Sequence, residues 1–211
     1  MTSDTILTEI DAGIGIVTFN RPAHYNAYDG AMLAELGTAI GRMGEEASVR
    51  VVVISSVGES FCAGADLSAQ AIEAAALAAL FDSMASCPKP LIARVQGVVC
   101  GGGVGIVAAC DLAVATFDAR FSARDPNSGQ VPAAITAPAR EAMGLRHARR
   151  YLLTGETFSA AEAYRIGLIH EMVADTAALD EAIGEWIDAL LAQERETLAA
   201  CKERCRGHRG Q

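Results

Sequence analysis

Residues 51–67 read VVVISSVGESFCAGADL and give the clearest indication of fold class. The β-branched run at 51–54 is typical of a strand buried on both faces, as the strands of parallel sheets are. A loop follows at 58–64, and the alanine-rich residues 72–85 predict a helix after it. A buried strand, a loop and a helix in succession indicate an α/β protein with parallel strand pairing.

The flanking sequence extends this pattern in both directions. Before it we predict a β-hairpin and a helix capped by Asp29; after it, further buried strands and then a mostly helical region. The predicted strands are 6–10, 15–19, 91–95, 112–116, 120–122 and 168–173, and the predicted helices are 29–43, 106–110, 133–143, 146–153, 159–167 and 175–204. We expect one core domain over 1–173 and a C-terminal helical segment over 174–211.

Composition and charge narrow the class of protein. Hydrophobic residues make up 51% of the 211 residues and charged residues 20%, as in globular domains. With 17 Lys+Arg and 26 Asp+Glu, the net charge is −9, which repels nucleic acid and anionic lipid. The N-terminus lacks an export signal, and the weakly polar run 97–110 is too short to span a bilayer. We therefore expect a cytoplasmic protein with no nucleic-acid or membrane partner.

Cysteine spacing and the basic tail indicate no metal site. The six cysteines contain no C-x-x-C pair, and only Cys201 and Cys205 approach zinc spacing, on what we interpret as one face of a helix end. We expect free thiols in a reducing compartment. The tail cations are interpreted as a solvated helix end rather than a phosphate site; they are Lys202, Arg204, Arg206 and Arg209.

Two familiar catalytic patterns do not fit this chain. Residues 103–108 match G-x-G-x-x-A, but the helix between that turn and Asp111 is too short for a dinucleotide-binding unit. No G-x-S-x-G occurs, and the four histidines show no partner spacing. Nicotinamide chemistry and serine hydrolysis are therefore not favoured.

Two loops place main-chain N–H groups where a helix begins, at residues 61–67 and at Gly101-Gly102-Gly103. At the ends of neighbouring parallel strands, such loops can direct two exposed amides at one point and hold an oxyanion. Alternatively, the glycines only permit tight turns and close helix packing. The residues alone leave both interpretations open.

The ordered set of segments resembles the enoyl-CoA hydratase/isomerase family, also called the crotonase superfamily. The segments are Phe19-Asn20-Arg21-Pro22, Asn26-Ala27, residues 61–67, residues 89–93 with Gly97, Gly101-Gly102-Gly103, Cys110-Asp111, residues 153–156, residues 160–163 and Gly167-Leu168. The sequence at 97–111 and 148–173 is most similar to the methylglutaconyl-CoA hydratase-like branch of the family. The resemblance implies an α/β fold built as a spiral of ββα units with a shortened helical C-terminal region, assembled as a trimer or a dimer of trimers.

The resemblance also implies roles for individual residues. The amides of Ala65 and Gly102 correspond to the family's oxyanion hole for a thioester carbonyl. Arg21 and Lys89 are candidate cations for the phosphates of coenzyme A. No metal or redox cofactor is implied, because coenzyme A enters as part of the substrate. The substrate-binding residues carried over are Arg21, Cys62, Ala63, Gly64, Ala65, Asp66, Leu67, Gly101 and Gly102.

The acid–base positions depart from the family pattern. Hydratases with two glutamates place one just after the glycine run, and that position here is Gly105. The second carboxylate falls on Asp125, which precedes Pro126-Asn127-Ser128-Gly129 and also fits an ordinary turn. Family members usually continue through further helices after the position of Arg204, whereas this sequence stops at Gln211.

We expect a lyase of fatty acid metabolism that adds water across the double bond of an α,β-unsaturated acyl-CoA thioester, with Asp125 as acid–base. A single carboxylate also suits an enoyl-CoA isomerase. Gly105 and the short C-terminus favour a third interpretation, a non-catalytic acyl-CoA-binding paralogue.

Overall fold

The structure, a computed structural model, describes residues 5–66, 68 and 74–206, which form two β-sheets and surrounding helices. The strands are β1 (Ile6–Asp11), β2 (Ile14–Phe19), β3 (Val51–Ser56), β4 (Leu91–Val95), β5 (Val98–Cys100), β6 (Leu112–Thr116), β7 (Arg120–Ser122), β8 (Thr157–Ser159) and β9 (Glu171–Val173). The α-helices are α1 (Gly30–Glu45), α2 (Ala74–Ser86), α3 (Gly102–Ala109), α4 (Thr136–Thr154), α5 (Ala160–Arg165), α6 (Thr176–Leu191) and α7 (Arg195–Arg206), with 3₁₀ turns at Pro22–His24 and Ala133–Ile135.

The larger sheet has the strand order β1-β2-β3-β4-β6-β9, in which only β1 pairs antiparallel. All six residues of β3 are buried, which confirms the predicted central strand. Its side chains alternate between faces: Val52 and Ile54 pack in the core that includes α1 and α3, whereas Val51 and Val53 pack towards α6. Helices therefore cover both faces of this sheet, as its parallel strands require.

The smaller sheet, β5-β7-β8, adjoins the ends of the large strands. It begins directly after β4, because only Gln96 and Gly97 separate β4 from β5. Gly97 has a φ of +61°, and a Cβ on it would lie 1.8 Å from the carbonyl oxygen of Glu59. Only glycine fits this sharp change of direction. The turn places β5 and the start of α3 next to the loop that follows β3.

Several predicted elements are confirmed, two predicted helices need correction, and the sequence pattern does not predict β5 and β8. Asp29 caps α1 by accepting a hydrogen bond from the amide of Met32 at 2.8 Å. Helix α3 begins at Gly102 rather than Ile106, because the turn residue is Gly101, with a φ of +52°, and the other glycines lie inside the helix. The predicted helix 175–204 is two helices, α6 and α7, and the arginine at position 50 binds the carbonyl of Gln193 at the break between them.

The basic tail is not a fully solvated helix end, contrary to the sequence-based interpretation. Lys202 is only 8% exposed, and its Nζ lies 2.5 Å from Asp111 Oδ2 and 2.6 Å from the carbonyl oxygen of Lys89. Arg204 is exposed as expected, and Arg209 lies outside the described residues. Lys202 therefore anchors α7 next to the beginnings of β4 and β6.

The described helices include none whose length and apolar character suffice to cross a bilayer. The cysteines are free thiols, and Cys62 and Cys100 are buried. Burial raises the pKa of Cys62 to about 12 and that of Cys100 to about 11, so both thiols stay protonated at neutral pH.

Candidate active site

The loop that follows β3 is held in place by Asn26, which is fully buried. Its side-chain amide donates to the carbonyls of Val57 at 2.9 Å and Ser60 at 2.7 Å, and its Oδ1 accepts the Arg21 amide at 2.8 Å. Asn26 has a φ of +56°, which asparagine tolerates better than most residues. These bonds fix the beginning of the loop and hence the direction in which residues 62–66 continue.

Cys62 connects this first loop to the second, glycine-rich one. Its amide donates to the carbonyl of Val98 at 3.1 Å, and its own carbonyl accepts the amide of Cys100 at 2.8 Å. A Cβ on Gly103 would lie 2.9 Å from Cys62 Cβ, so a glycine is needed where α3 packs on the first loop. The close-packing interpretation is therefore correct for Gly103.

Asp125 lies between the two loops and is only 1% exposed. Its Oδ2 accepts the main-chain N–H of Ala65 at 2.5 Å. A Cβ on Gly64 would lie 2.4 Å from this oxygen, and one on Gly101 would lie 3.0 Å from it. The structure thus brings Gly64, Ala65, Gly101 and Asp125, which sequence analysis singled out separately, around one carboxylate oxygen.

The other oxygen of Asp125 forms the turn that sequence analysis gave as the alternative. Oδ1 accepts the amides of Asn127 at 3.0 Å and Ser128 at 2.9 Å, and the amide of Gly129 donates to the Asp125 carbonyl. The Asn127 side chain then reaches back to the Ala65 carbonyl at 2.6 Å. The turn therefore orients the carboxylate. Asp125 can be both a turn residue, through Oδ1, and a site residue, through Oδ2.

Tyr28 is the site residue that sequence analysis missed. Its hydroxyl accepts the N–H of Gly102 at 3.2 Å, while its main chain pairs with the other loop, by donating to the Gly64 carbonyl and accepting from the Asp66 amide. Burial, with smaller contributions from Cys62 and Asp125, raises the pKa of Tyr28 well above its ordinary value. Its sequence offered one indication: a tyrosine just before a helix cap, if buried, needs a polar partner.

The expectation of exposed amides is wrong for this structure. The N–H of Ala65 is paired with Asp125, and the N–H of Gly102 is paired with Tyr28. The turn at Asp125 directs its Oδ2 at the Ala65 amide. The Tyr28 ring, held by the hydrogen bonds of its main chain, covers the Gly102 amide. A ligand oxygen must replace these internal partners in order to reach either nitrogen.

The position of the first family glutamate is closed by apolar side chains. A Cβ on Gly105 would lie 2.5 Å from Phe81 Cζ and 2.7 Å from Ile135 Cγ2. Phe81 belongs to α2, and Ile135 ends the 3₁₀ turn before α4. The missing carboxylate is therefore replaced by a packed apolar contact, and α3 approaches its neighbours more closely than a residue with a side chain would allow.

The two candidate cations are occupied within the protein. The guanidinium of Arg21 donates to Asp66 at 2.7 Å and to the Ala27 carbonyl at 2.6 Å. Hydrogen bonds from Ser68 and Arg21 lower the pKa of Asp66 to about 2. The prediction of Lys89 as a phosphate ligand is wrong for this structure. Lys89 is only 5% exposed, and its amine donates to the carbonyls at positions 43 and 46.

The remaining predicted binding residues differ in access. Cys62 is 1% exposed with both main-chain groups hydrogen-bonded, so it offers no surface to a ligand, whereas Ala63 lines a groove of about 800 Å³. Leu67 lies outside the described residues. The described lining of the groove includes neither Ala65, Gly102 nor Asp125, and its charged members are Glu59, Asp118 and Asp175. In residues 5–66, 68 and 74–206, no cluster of three or more metal-ligating side chains occurs.

Comparison with known proteins supports the resemblance to the family. The sequence profile of the "Enoyl-CoA hydratase/isomerase" family matches residues 9–208. "Probable enoyl-CoA hydratase EchA14" of Mycobacterium tuberculosis is 36% identical over 94% of this chain and 80% of its own length. "Short-chain-enoyl-CoA hydratase" of Clostridium acetobutylicum is 31% identical over 86% of this chain and 74% of its own. A crystal structure of an enoyl-CoA hydratase from Mycobacterium smegmatis superposes with a TM-score of 0.87 at 36% identity, over 94% of this chain and 81% of that one.

Proposed function

The chain belongs to the enoyl-CoA hydratase/isomerase family, and from this membership we propose that it adds water across the double bond of an α,β-unsaturated acyl-CoA thioester. The observation that carries the proposal is the 2.5 Å hydrogen bond between the Ala65 amide and a carboxylate oxygen of Asp125. This amide already binds a negatively charged oxygen in a buried environment, which is what stabilising an enolate requires. The methylglutaconyl-CoA branch stays a prediction.

In the proposed reaction the thioester oxygen accepts the Ala65 N–H, which Asp125 Oδ2 releases. Negative charge develops on that oxygen as water adds, and hydrogen bonds to an ionised acceptor are about twice as strong as neutral ones. Loss of one such donor typically costs about 3 kcal/mol of activation free energy. The amide therefore stabilises the transition state more than the ground state.

The displaced Asp125 supplies the acid–base chemistry. Its Oδ1 is held by the amides of Asn127 and Ser128, so the carboxylate stays beside the site when Oδ2 releases Ala65. It takes a proton from the water whose oxygen bonds to C3, and it then returns that proton to C2 of the enolate. The product is the 3-hydroxyacyl thioester, and no other proton source is needed.

For the coenzyme A portion, we propose that the loop from Ala63 to Asp66, continuing into Leu67, contacts the substrate, with Gly101 and Arg21 beside it. Half-buried Ala63 supports this, because it directly precedes Gly64 and Ala65 at the site. A homo-oligomer, as a trimer or a dimer of trimers, also remains a proposal. No metal or redox cofactor takes part in the proposed reaction.

The direct test is to offer 2-enoyl-CoA and 3-enoyl-CoA thioesters of several chain lengths and follow the absorbance of the conjugated thioester. Hydration of the 2-enoyl substrate removes this absorbance, and isomerisation of the 3-enoyl substrate creates it. Loss of absorbance with the 2-enoyl substrate alone supports the hydratase. A protein that leaves both substrates unchanged contradicts the proposed function.

An isomerase is the second candidate, and the observation in its favour is that Asp125 is the one carboxylate bonded to either of the two amides among the described residues. One base is enough to carry a proton between two carbons. A gain of conjugated absorbance from 3-enoyl-CoA, without hydration, selects this function.

A non-catalytic acyl-CoA-binding paralogue is the third candidate. It is favoured by the pairing of both amides with internal partners and by the 1% exposure of Asp125. Calorimetric binding of an acyl-CoA with no turnover of either enoyl substrate selects it.

A further inference from the structure

Tyr28 joins the two loops of the site through different groups. Its main chain is hydrogen-bonded to Gly64 and Asp66, and its hydroxyl is hydrogen-bonded to Gly102. We propose that the Tyr28 hydroxyl, rather than the Gly102 amide itself, is the second hydrogen-bond donor to the thioester oxygen. This inference rests on the proposed function, and it makes Tyr28 a catalytic residue through which Gly102 acts.

The hydrogen-bonding capacity of a phenol supports this role. A tyrosine hydroxyl has one proton to donate, and its oxygen accepts. In Tyr28 the oxygen accepts from Gly102 at 3.2 Å, and among the described residues no protein acceptor receives its proton. A buried donor without an acceptor is costly, by about 1–3 kcal/mol. An incoming carbonyl oxygen removes this cost by accepting the proton.

Packing at Gly102 also favours the hydroxyl over the amide. A Cβ on Gly102 would lie 2.5 Å from Tyr28 Oη and 2.7 Å from Cζ, so the phenol lies directly against the start of α3. Tyr28 is 3% exposed and belongs to the main hydrophobic core. For the amide to bind substrate directly, this buried ring would have to leave its position. For the hydroxyl to bind substrate, the ring stays where it is.

The electrostatic surroundings keep the phenol suited to donation. Burial raises the pKa of Tyr28 well above its ordinary value, so the hydroxyl keeps its proton at neutral pH. The Gly102 N–H polarises the hydroxyl, because donors in a chain of hydrogen bonds strengthen one another. Tyr28 therefore remains a neutral donor throughout the reaction.

The test compares Tyr28→Phe with Tyr164→Phe, a matched control whose ring is 53% exposed. Two quantities are measured: turnover of the 2-enoyl-CoA, and the near-ultraviolet absorbance of bound acetoacetyl-CoA, whose enolate absorbs when donors stabilise it. Removing the Tyr28 hydroxyl should lower kcat about 10²–10³-fold with a smaller change in KM, and should reduce the enolate absorbance. The control should change neither quantity.

An equal or higher kcat in Tyr28→Phe, with undiminished enolate absorbance, overturns the inference, because the hydroxyl would then only block the Gly102 amide. If wild-type protein binds acetoacetyl-CoA without turning over any enoyl-CoA, the enolate absorbance alone decides. If wild-type protein neither binds nor turns over thioesters, the proposed function fails, and this inference fails with it.

Should Tyr28→Phe not fold, 3-fluorotyrosine placed at position 28 keeps the ring and hydroxyl and makes a more acidic donor. We expect it to increase the enolate absorbance. An unchanged enolate absorbance with 3-fluorotyrosine contradicts the inference.

Discussion

The main-chain nitrogen of Ala65 and Oδ2 of Asp125, sixty positions apart in the chain, form a buried hydrogen bond of 2.5 Å. The bond joins the loop after β3 to the turn after β7. Hydrogen bonds from a main-chain N–H to a carboxylate are stronger than those between neutral groups. In the proposed reaction a thioester oxygen therefore competes with an acceptor that belongs to the protein, so substrate binding requires the release of Asp125 Oδ2.

We predict that Asp125→Asn lowers turnover of the 2-enoyl-CoA by about 10²–10⁴-fold, because it removes the acid–base group. With its oxygen held by the turn, the new side-chain amide faces the Ala65 N–H, donor against donor. We expect the free energy of unfolding to fall by about 1–3 kcal/mol. The absorbance assay and urea unfolding measure the two effects. Asp188→Asn, at an exposed position of α6, is the control. Intact turnover in Asp125→Asn would show that the carboxylate is not catalytic.

We predict that Gly105→Glu does not create a second catalytic carboxylate. Its Cβ would lie within 2.7 Å of both Phe81 and Ile135, and overpacking of this kind typically costs about 1–3 kcal/mol. Urea unfolding should show the loss, and hydration should not increase. Gly41→Ala is the matched control: it lies exposed in α1 with no atom within 4 Å of the added Cβ, so it should stabilise the protein by about 0.5–1 kcal/mol. A faster Gly105→Glu variant of normal stability would contradict this account.

We predict that the ionised Asp66 contributes stability that is lost in acid. Hydrogen bonds from Ser68 and Arg21 lower its pKa from 3.8 to about 2. Because the folded pKa lies below the unfolded one, the contribution is complete above pH 4 and disappears as the pH falls towards 2. Urea unfolding at pH 4.5 and pH 3.0 should show a smaller difference in Asp66→Asn than in wild type. The exposed Glu59→Gln should keep the wild-type difference, and an equal difference in Asp66→Asn would refute the prediction.

We predict that Lys202→Met releases α7 from the body of the protein. The buried amine is paired with Asp111 at 2.5 Å and with the Lys89 carbonyl at 2.6 Å. Because the Asp111 side chain is partly exposed, we expect the free energy of unfolding to fall by about 1–3 kcal/mol. Hydrogen exchange should become faster within Arg195–Arg206 first. Arg204→Met, at an exposed position of the same helix, is the control. Unchanged exchange in Lys202→Met would mean that other contacts hold the helix.

Local sequence signals were sufficient for the strands of the large sheet and for the two loops, but not for β5 and β8. The β-branched run at 51–54 predicts a strand buried on both faces, because such runs are typical of the strands of parallel sheets. Asp29 predicts the beginning of a helix, because its short side chain can accept a hydrogen bond from a main-chain amide of the first turn. The loops around Ala65 and Gly102 were located through the order of the motifs. Each of these features depends on residues that are close together in the chain.

Contacts across the chain could not be predicted in the same way. That Tyr28 lies on Gly102, that Asp125 reaches Ala65 and that Lys202 is buried against Asp111 are consequences of how the elements pack. Lys202 shows the difficulty well, because Glu203 and Arg204, the two residues that follow it, are exposed. A charged side chain becomes buried when a distant carboxylate and carbonyl receive it, and neither is visible in the helix that carries it.

The close packing of Phe81 and Ile135 on Gly105 constrains which substitutions are tolerated at position 105. A carboxylate at position 105 is accommodated only after one of those apolar side chains has become smaller, and each such reduction alone leaves a cavity that lowers stability. The order of mutations therefore matters, and every first step carries a penalty. A single codon change at position 105 is therefore not sufficient to give this protein a second carboxylate at that position.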